Sequence, residues 1–141
     1  MPNSQVFTGL LVRRTQQAHL ALWQLLVSRE ISSPQFGVLA ELKAQPGISQ
    51  ADLCLRLDLD KSTINDLVNR LVNRSLINRN KDVFDRRKYV LTLTKLGLAE
   101  LGVLLPKVAT LDEALTAGLS AGERTQLQEL LNKLLESTKI T

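Results

Sequence analysis

A chain of 141 residues, 44% hydrophobic and 23% charged with a mean hydropathy of zero, can bury one real core, and its 4% aromatic content beside abundant Leu favours packed helices over a β-sandwich. One cysteine, Cys54, and one histidine, His19, exclude an intrachain disulfide and leave too few groups for a zinc site or a Ser-His-Asp or Cys-His set, so no catalytic residue, metal or cofactor is expected. The net charge of +4 is unevenly spread: from Lys61 to Lys95 nine Lys/Arg stand against three Asp, a local +6 that leaves −2 for the remainder, as in a polyanion-binding surface or a plain solvated face.

No apolar stretch approaches bilayer-spanning length, and the opening sequence MPNSQVFTGLLVRR lacks a signal-peptide plan; a cytoplasmic chain without membrane contact is expected. Residues 8 to 30 read as a helix in which LALWQLLV is apolar nearly all round, a pattern suited to burial on two sides, often in a subunit interface. Ser33-Pro34 reads as an N-cap and first helical position, opening a helix with Phe36, Leu39, Ala40 and Leu42 on its apolar face and a stop at Pro46-Gly47. Ser49-Gln50-Ala51-Asp52 resembles a capping box with Asp in place of Glu, ahead of a short helix carrying Leu53, Leu55 and Leu57. Asp60 caps the next helix, whose Ile64, Leu67, Val68, Leu71 and Val72 fall at helical spacing. Two short capped helices joined by Asp58-Leu59-Asp60 make a helix-turn-helix.

LINRN and KYVLTLT follow as β-type segments, so the helix-turn-helix runs directly into a hairpin: a winged helix. Residues 95 to 117 read as a long helix in which Pro106 predicts a kink or bend. Ser120 to Glu123 forms a full capping box, and Leu127, Leu130, Leu131, Leu134 and Leu135 make a narrow stripe able to cover the chain's own core or pair with another chain. The expected architecture is mainly α, with an N-terminal dimerisation helix in 1–32, a winged helix-turn-helix in 33–95 and C-terminal dimerisation helices in 96–141, all within one domain.

The helix from Lys61 to Arg74 is the candidate reader. Opposite its apolar stripe stand Lys61, Ser62, Thr63, Asn65, Asp66, Asn69, Arg70 and Asn73, short polar groups and forked donors suited to base edges and phosphates, although any surface helix also shows a polar face. Ser62, Thr63, Asn65 and Asp66, nearest the N-terminus, are the base-contact candidates, and Lys61, Asn69 and Arg70 the phosphate contacts. The turn NKDVFDRRK has no Gly and is longer than a structural hairpin needs. Its Arg86, Arg87 and Lys88 can reach an adjacent minor groove, and Asp85 can orient the Arg87 guanidinium.

The stretch LVNRLVNRSLINRNKDVFDRRKYVLTLTKLGLAEL resembles the winged-helix core of the MarR family of bacterial transcription regulators, through Leu76, Ile77, Arg79, Asp85, Arg87, Leu93, Thr94 and Gly97. The order of helices agrees over nearly the whole chain. The resemblance implies an obligate homodimer with interlocked terminal helices, bound to double-stranded DNA at a pseudo-palindromic operator and repressing transcription, with Arg87 in the minor groove, Asp85 holding it, and Arg79 in the same cationic set. Two-fold symmetry sets half-sites about 10 bp apart. Two positions depart from the family pattern: Ser75 stands where Gly is frequent, and would be strained in a left-handed backbone. Asp66 replaces a basic or neutral residue, and either accepts from cytosine N4 or pairs with Arg70 at i+4.

The resemblance also implies release of DNA by a small aromatic carboxylate, for which Arg13, Arg14, His19, Trp23 and Phe36 are the candidates; the alternative is that Trp23 and Phe36 are core and His19 an interface residue. Cys54 in DLCLRL is expected as buried filler rather than a peroxide sensor. The competing reading, from another class, is a winged helix that binds proteins and never touches DNA; a small enzyme ranks third because no catalytic set can be assembled.

Overall fold

The computed structural model describes residues 5–139, so the expected segments 1–32 and 96–141 extend past its two ends. In chain order it contains α1 (Thr8–Leu26), α2 (Ser33–Ala44), β1 (Ile48–Ser49), α3 (Gln50–Leu57), α4 (Lys61–Asn73), β2 (Ile77–Lys81), β3 (Tyr89–Leu93), α5 (Lys95–Leu115) and α6 (Ala121–Ser137). The fold is the expected winged helix-turn-helix within a helical frame.

Side-chain caps set most helix starts. Asp60 accepts from the Thr63 amide, Thr94 from Gly97, and Ser120 and Glu123 form the reciprocal box. Two expected caps need correction. The N-cap of α2 is Ser32, not Ser33, because Gln35 stands three residues after Ser32 and closes a reciprocal box with it; Pro34 consequently falls one position later in the first turn. Ser49 accepts from the Asp52 amide, but the short Asp52 side chain makes no return bond, so only half a box forms. Helix α1 also stops short of residue 30, since the Ser28 hydroxyl accepts from the Glu30 and Ile31 amides and turns the chain. Pro106 lies within α5, which runs through it uninterrupted.

The three antiparallel strands lie in the order β1-β3-β2, with Ile48 opposite Leu91 and Ile77 opposite Leu93. Leu91, fully buried, carries the sheet into a core shared with Val38, Leu39 and Leu42 of α2, Leu53 of α3, and Ile64, Val68 and Leu71 of α4. Leu55 is exposed and takes no part, because only Leu53 of the three short-helix leucines points fully inward. Leu101, Leu104 and Leu111 of α5 complete the core from the frame side, together with Trp23, Val27 and Ile31.

The joint between wing and frame is tight. Thr94 donates its hydroxyl to the Ser75 carbonyl at 2.6 Å, its amide donates to the Leu76 carbonyl at 3.1 Å, and its hydroxyl oxygen caps α5. A Cβ at Gly97 would stand 2.9 Å from the Leu76 carbonyl carbon and closer still to its oxygen. Ser75 has φ 61°, the left-handed conformation anticipated from the frequent Gly at this place. Ser75→Gly is therefore expected to stabilise the fold by roughly 0.5–1 kcal/mol, relief of strain outweighing the extra freedom of the unfolded chain. Urea unfolding monitored by circular dichroism checks this, and an unchanged or lowered midpoint would contradict it.

Both chain-end regions leave apolar side chains uncovered. Along α6 no residue is buried, and Leu127, Leu130, Leu131, Leu134 and Leu135 are exposed. Of the two roles open to that stripe, covering the chain's own core is not the one taken. Phe7, Leu10, Leu11 and Val12 at the start of α1 are exposed too, as are Leu20 and Leu25, so the second apolar side of LALWQLLV is left largely uncovered by the described residues.

Candidate nucleic-acid interface

Helix α4 buries Ile64, Val68 and Leu71 and exposes Lys61, Ser62, Thr63, Asn65, Asp66, Arg70 and Asn73; Asn69 is half-buried. Several of these side chains are already engaged locally. The Ser62 hydroxyl donates to Asp60 at 3.0 Å, and Asn65 accepts from the Gln50 amide at 3.3 Å. Asp66 pairs with Arg70 at 3.2 Å, the second of its two anticipated roles. The Thr63 amide, then the Thr63 and Ser62 hydroxyls, hold the Asp60 carboxyl below the usual carboxylate range, so the cap is ionised at neutral pH.

A brace ties the wing to this helix. Arg79, half-buried on β2, donates to the Asn69 side-chain Oδ1 at 2.7 Å and lies over the Tyr89 ring, 5.2 Å from its centroid. Strand and helix thereby hold their polar surfaces in one fixed relation. At the other end of α4, Arg74 donates to the Glu30 carbonyl at 3.1 Å and stands 3.8 Å from its carboxylate, linking the α1–α2 turn to this helix. Neither Gln50 nor the Arg74–Glu30 contact has a signal in local spacing, since the partners lie 15 and 44 residues apart.

The wing tip is locked by its own backbone. The Asp82 amide donates to the Lys88 carbonyl at 2.9 Å, closing the turn, and the Lys88 amide donates to the Asp85 carbonyl at 3.0 Å. Asp82 accepts from the Phe84 amide at 3.0 Å, and Asp85 from the Arg87 amide at 3.1 Å, two Asx turns in succession. Asp85 also takes the Arg87 guanidinium in a two-point grip, Nε at 3.1 Å and Nη2 at 3.3 Å. The Arg87 side chain is nonetheless 91% exposed, while Asp85 is 29% exposed. Hydrogen bonds from the Arg87 side chain, then its amide, and the charge of Lys88 hold the Asp85 carboxyl below the usual range. A depressed carboxylate stabilises the fold above its ordinary titration range and loses that contribution as pH falls through the lowered value. The clamp is accordingly intact across neutral pH and opens only in acid. Arg86 and Lys88 are exposed beside it.

His19, Trp23 and Phe36 form a row of rings, with centroids 6.0 and 5.7 Å apart. Trp23 is only 4% exposed and donates its indole N–H to the Ile31 carbonyl at 2.7 Å, so it is a core side chain with a satisfied donor. The His19 Nδ1 is buried without a hydrogen-bond partner among the described residues. Arg13 and Arg14 are exposed on α1, about 8 Å along the axis from His19. A cleft of about 450 Å³ lies between α1, the α1–α2 turn and α4, walled by Leu20, Gln24, Asp66 and Arg70; of the five expected ligand residues, Trp23 lines it. Burial pushes the Cys54 thiol up, which keeps it from thiolate chemistry at neutral pH. No group of three or more His, Cys, Asp or Glu gathers in metal-binding geometry, and no helix is long and apolar enough to cross a membrane, among the described residues.

Comparison with known proteins gives a consistent answer. The model of the MarR family matches residues 30–88. The HTH-type transcriptional repressor NicR of Pseudomonas putida is 35% identical over 130 residues, which is 92% of this chain and 82% of the relative. The PcaV transcriptional regulator of Streptomyces coelicolor, solved in complex with its natural ligand, superposes with a TM-score of 0.93 at 36% identity, covering 96% of both chains. BpsR of Bordetella bronchiseptica, whose structure addresses regulation of DNA binding by 6-hydroxynicotinic acid, has a TM-score of 0.82 at 31% identity, over 89% of this chain and 96% of that one.

Proposed function

This chain belongs to the MarR family, and from that premise we propose that it is a transcription repressor that binds a pseudo-palindromic operator as a homodimer and releases it when a small aromatic carboxylate binds. The observation carrying the DNA-binding reading is the wing: an exposed guanidinium, held at two points by Asp85, on a hairpin braced to the polar face of α4 through Arg79 and Asn69. Such a group is suited to a minor groove while α4 occupies the major groove next to it. Thr63 and Asn65 would read bases, Lys61 would neutralise phosphate, and the Asp66–Arg70 pair would turn toward either. The uncovered leucines of α6 and the apolar start of α1 support the homodimer, since an apolar surface of that extent on one chain marks an interaction site.

The test is selection from a randomised duplex library with the full-length protein, followed by titration of the selected sites over a salt series. A pseudo-palindrome with half-sites about 10 bp apart and a steep salt slope is expected. Weak binding without sequence preference or salt dependence would overturn the reading and favour a protein-binding winged helix.

For the effector, the unpartnered His19 nitrogen beside Trp23 is the supporting observation, and 6-hydroxynicotinic acid, which regulates DNA binding by BpsR, suggests the chemical class. The imidazole would hydrogen-bond the carboxylate, with Arg13 or Arg14 of either protomer adding charge. His19→Ala is expected to abolish release of the operator by 6-hydroxynicotinic, benzoic and hydroxybenzoic acids while leaving affinity without acid unchanged. Equal release from wild-type and variant in a fluorescence anisotropy titration would remove His19 from the site.

A further inference from the structure

The wing carries two side chains that neither the fold nor a purely cationic minor-groove contact accounts for. Phe84 is 97% exposed and Val83 is 85% exposed, at the tip of the hairpin. Phe84 is the most exposed large apolar residue on the described surface. It is not left to wander: its amide is fixed to the Asp82 carboxylate at 3.0 Å, the turn is closed below it by the Asp82–Lys88 bond at 2.9 Å, and the Asp85 turn follows directly. The backbone geometry that presents Arg87 outward therefore presents Phe84 outward as well.

We propose that Phe84, supported by Val83, is an apolar wedge that enters the minor groove beside Arg87 and partly unstacks one base step of the operator. This rests on the operator-binding reading above and adds to it a DNA deformation. Lys81, Arg86, Arg87 and Lys88 outnumber Asp82 and Asp85 around the pair in sequence, a local +2, so the surface that meets Phe84 is favoured to carry negative charge and must also offer an apolar slot. A DNA minor groove offers both: phosphates along its walls and, once a step opens, the faces of two base pairs. A bilayer surface fits less well, because the brace from Arg79 to Asn69 fixes the wing against the polar face of α4, which has no apolar side chain to follow Phe84 into lipid. Pyrimidine–purine steps open most readily, so the wedge selects such a step where the Arg87 charge favours a narrow A·T-rich groove. Sequence preference at that step then arises from deformability, without a hydrogen bond to a base edge.

The experiment uses the full-length protein and the operator selected from the duplex library, with 2-aminopurine placed in turn at each position flanking the half-site. Wild-type protein is expected to raise 2-aminopurine fluorescence at one step in each flank. Phe84→Ala is expected to abolish that rise and weaken binding at least about tenfold, with the salt slope unchanged because no phosphate contact is lost. Phe84→Leu should keep most of both signals. Circular dichroism identical to wild-type is expected for both variants, since the side chain touches nothing in the fold. Equal affinity and equal fluorescence for wild-type and Phe84→Ala would overturn the wedge while leaving operator binding standing. Absence of any specific site for the wild-type protein would instead remove the operator reading on which the wedge depends. Cosedimentation of wild-type protein with phosphatidylglycerol vesicles, lost in Phe84→Ala while operator affinity stays constant, would also overturn it and assign the tip to lipid.

Discussion

Arg87→Ala is expected, on the proposed reading of an operator-binding homodimer, to weaken DNA binding about 100-fold at fixed salt. Its guanidinium is held by Asp85 at 3.1 and 3.3 Å before any DNA arrives, so little side-chain freedom remains to be lost on binding. A groove contact of this type contributes about 1.4 kcal/mol per half-site, and two wings double that in the free energy. The variant removes two positive charges per dimer, so the salt slope should fall by about two units. Arg87→Lys should restore the slope without restoring full affinity, because an ammonium carries the charge but lacks the planar fork that Asp85 grips. Asp85→Ala should leave the slope intact and lose less affinity, since it frees the arm without discharging it. Fluorescence anisotropy at several salt concentrations separates these outcomes. Wild-type affinity and slope in Arg87→Ala would remove Arg87 from the DNA contact.

Gly97→Ala is expected to cost at least about 3 kcal/mol of stability and to lower the thermal midpoint by roughly 10 °C. The added methyl would press on the Leu76 backbone, which cannot swing aside as a side chain would, because the Leu76 carbonyl accepts from the Thr94 amide at 3.1 Å. Relief requires α5 to move away from the start of β2, breaking the Thr94 cap and its 2.6 Å bond to Ser75. Operator affinity should suffer even for the fraction that stays folded, since the wing is anchored through that joint. A midpoint within a degree or two of wild-type would show that the helix start yields more easily than this packing allows.

The contrast between these two positions shows what could be read from the chain alone. Helices with caps and a regular apolar stripe were legible, because both signals lie within one turn or two of the residue they describe: Asp60 with Ile64, Val68 and Leu71 is the clearest instance. The hairpin was legible from the alternation in KYVLTLT and the polar turn before it. Strand β1 was not, since the two residues Ile48 and Ser49 show no period and pair with β3 only once α2 and α3 place them there. The shift of the α2 cap from Ser33 to Ser32 reflects two adjacent serines that both suit a following Pro, with the choice made by Gln35. At the interface, the partnership of Asp85 and Arg87 is local and could be anticipated. The Arg79–Asn69 brace and the Arg74–Glu30 link join elements whose spacing in sequence says nothing of their proximity, and the indole bond from Trp23 to the Ile31 carbonyl likewise has no signal in the sequence.

Helix α6 has a consequence for how the protein behaves at low copy number. None of its residues is buried, and a 17-residue helix held to the rest of the chain only lightly, as through the Arg124 bond to the Thr116 carbonyl, is marginal in water even when well capped. On the homodimer reading, what keeps α6 ordered is supplied by the second copy, so its order is governed by mass action. A cell holding only a few molecules would contain separated chains with loosened ends. A modest rise in synthesis would carry the population through a threshold into competent pairs. Repression would then begin sharply with dosage, and a newly divided cell that inherits too few copies would express the controlled genes until the pool is rebuilt.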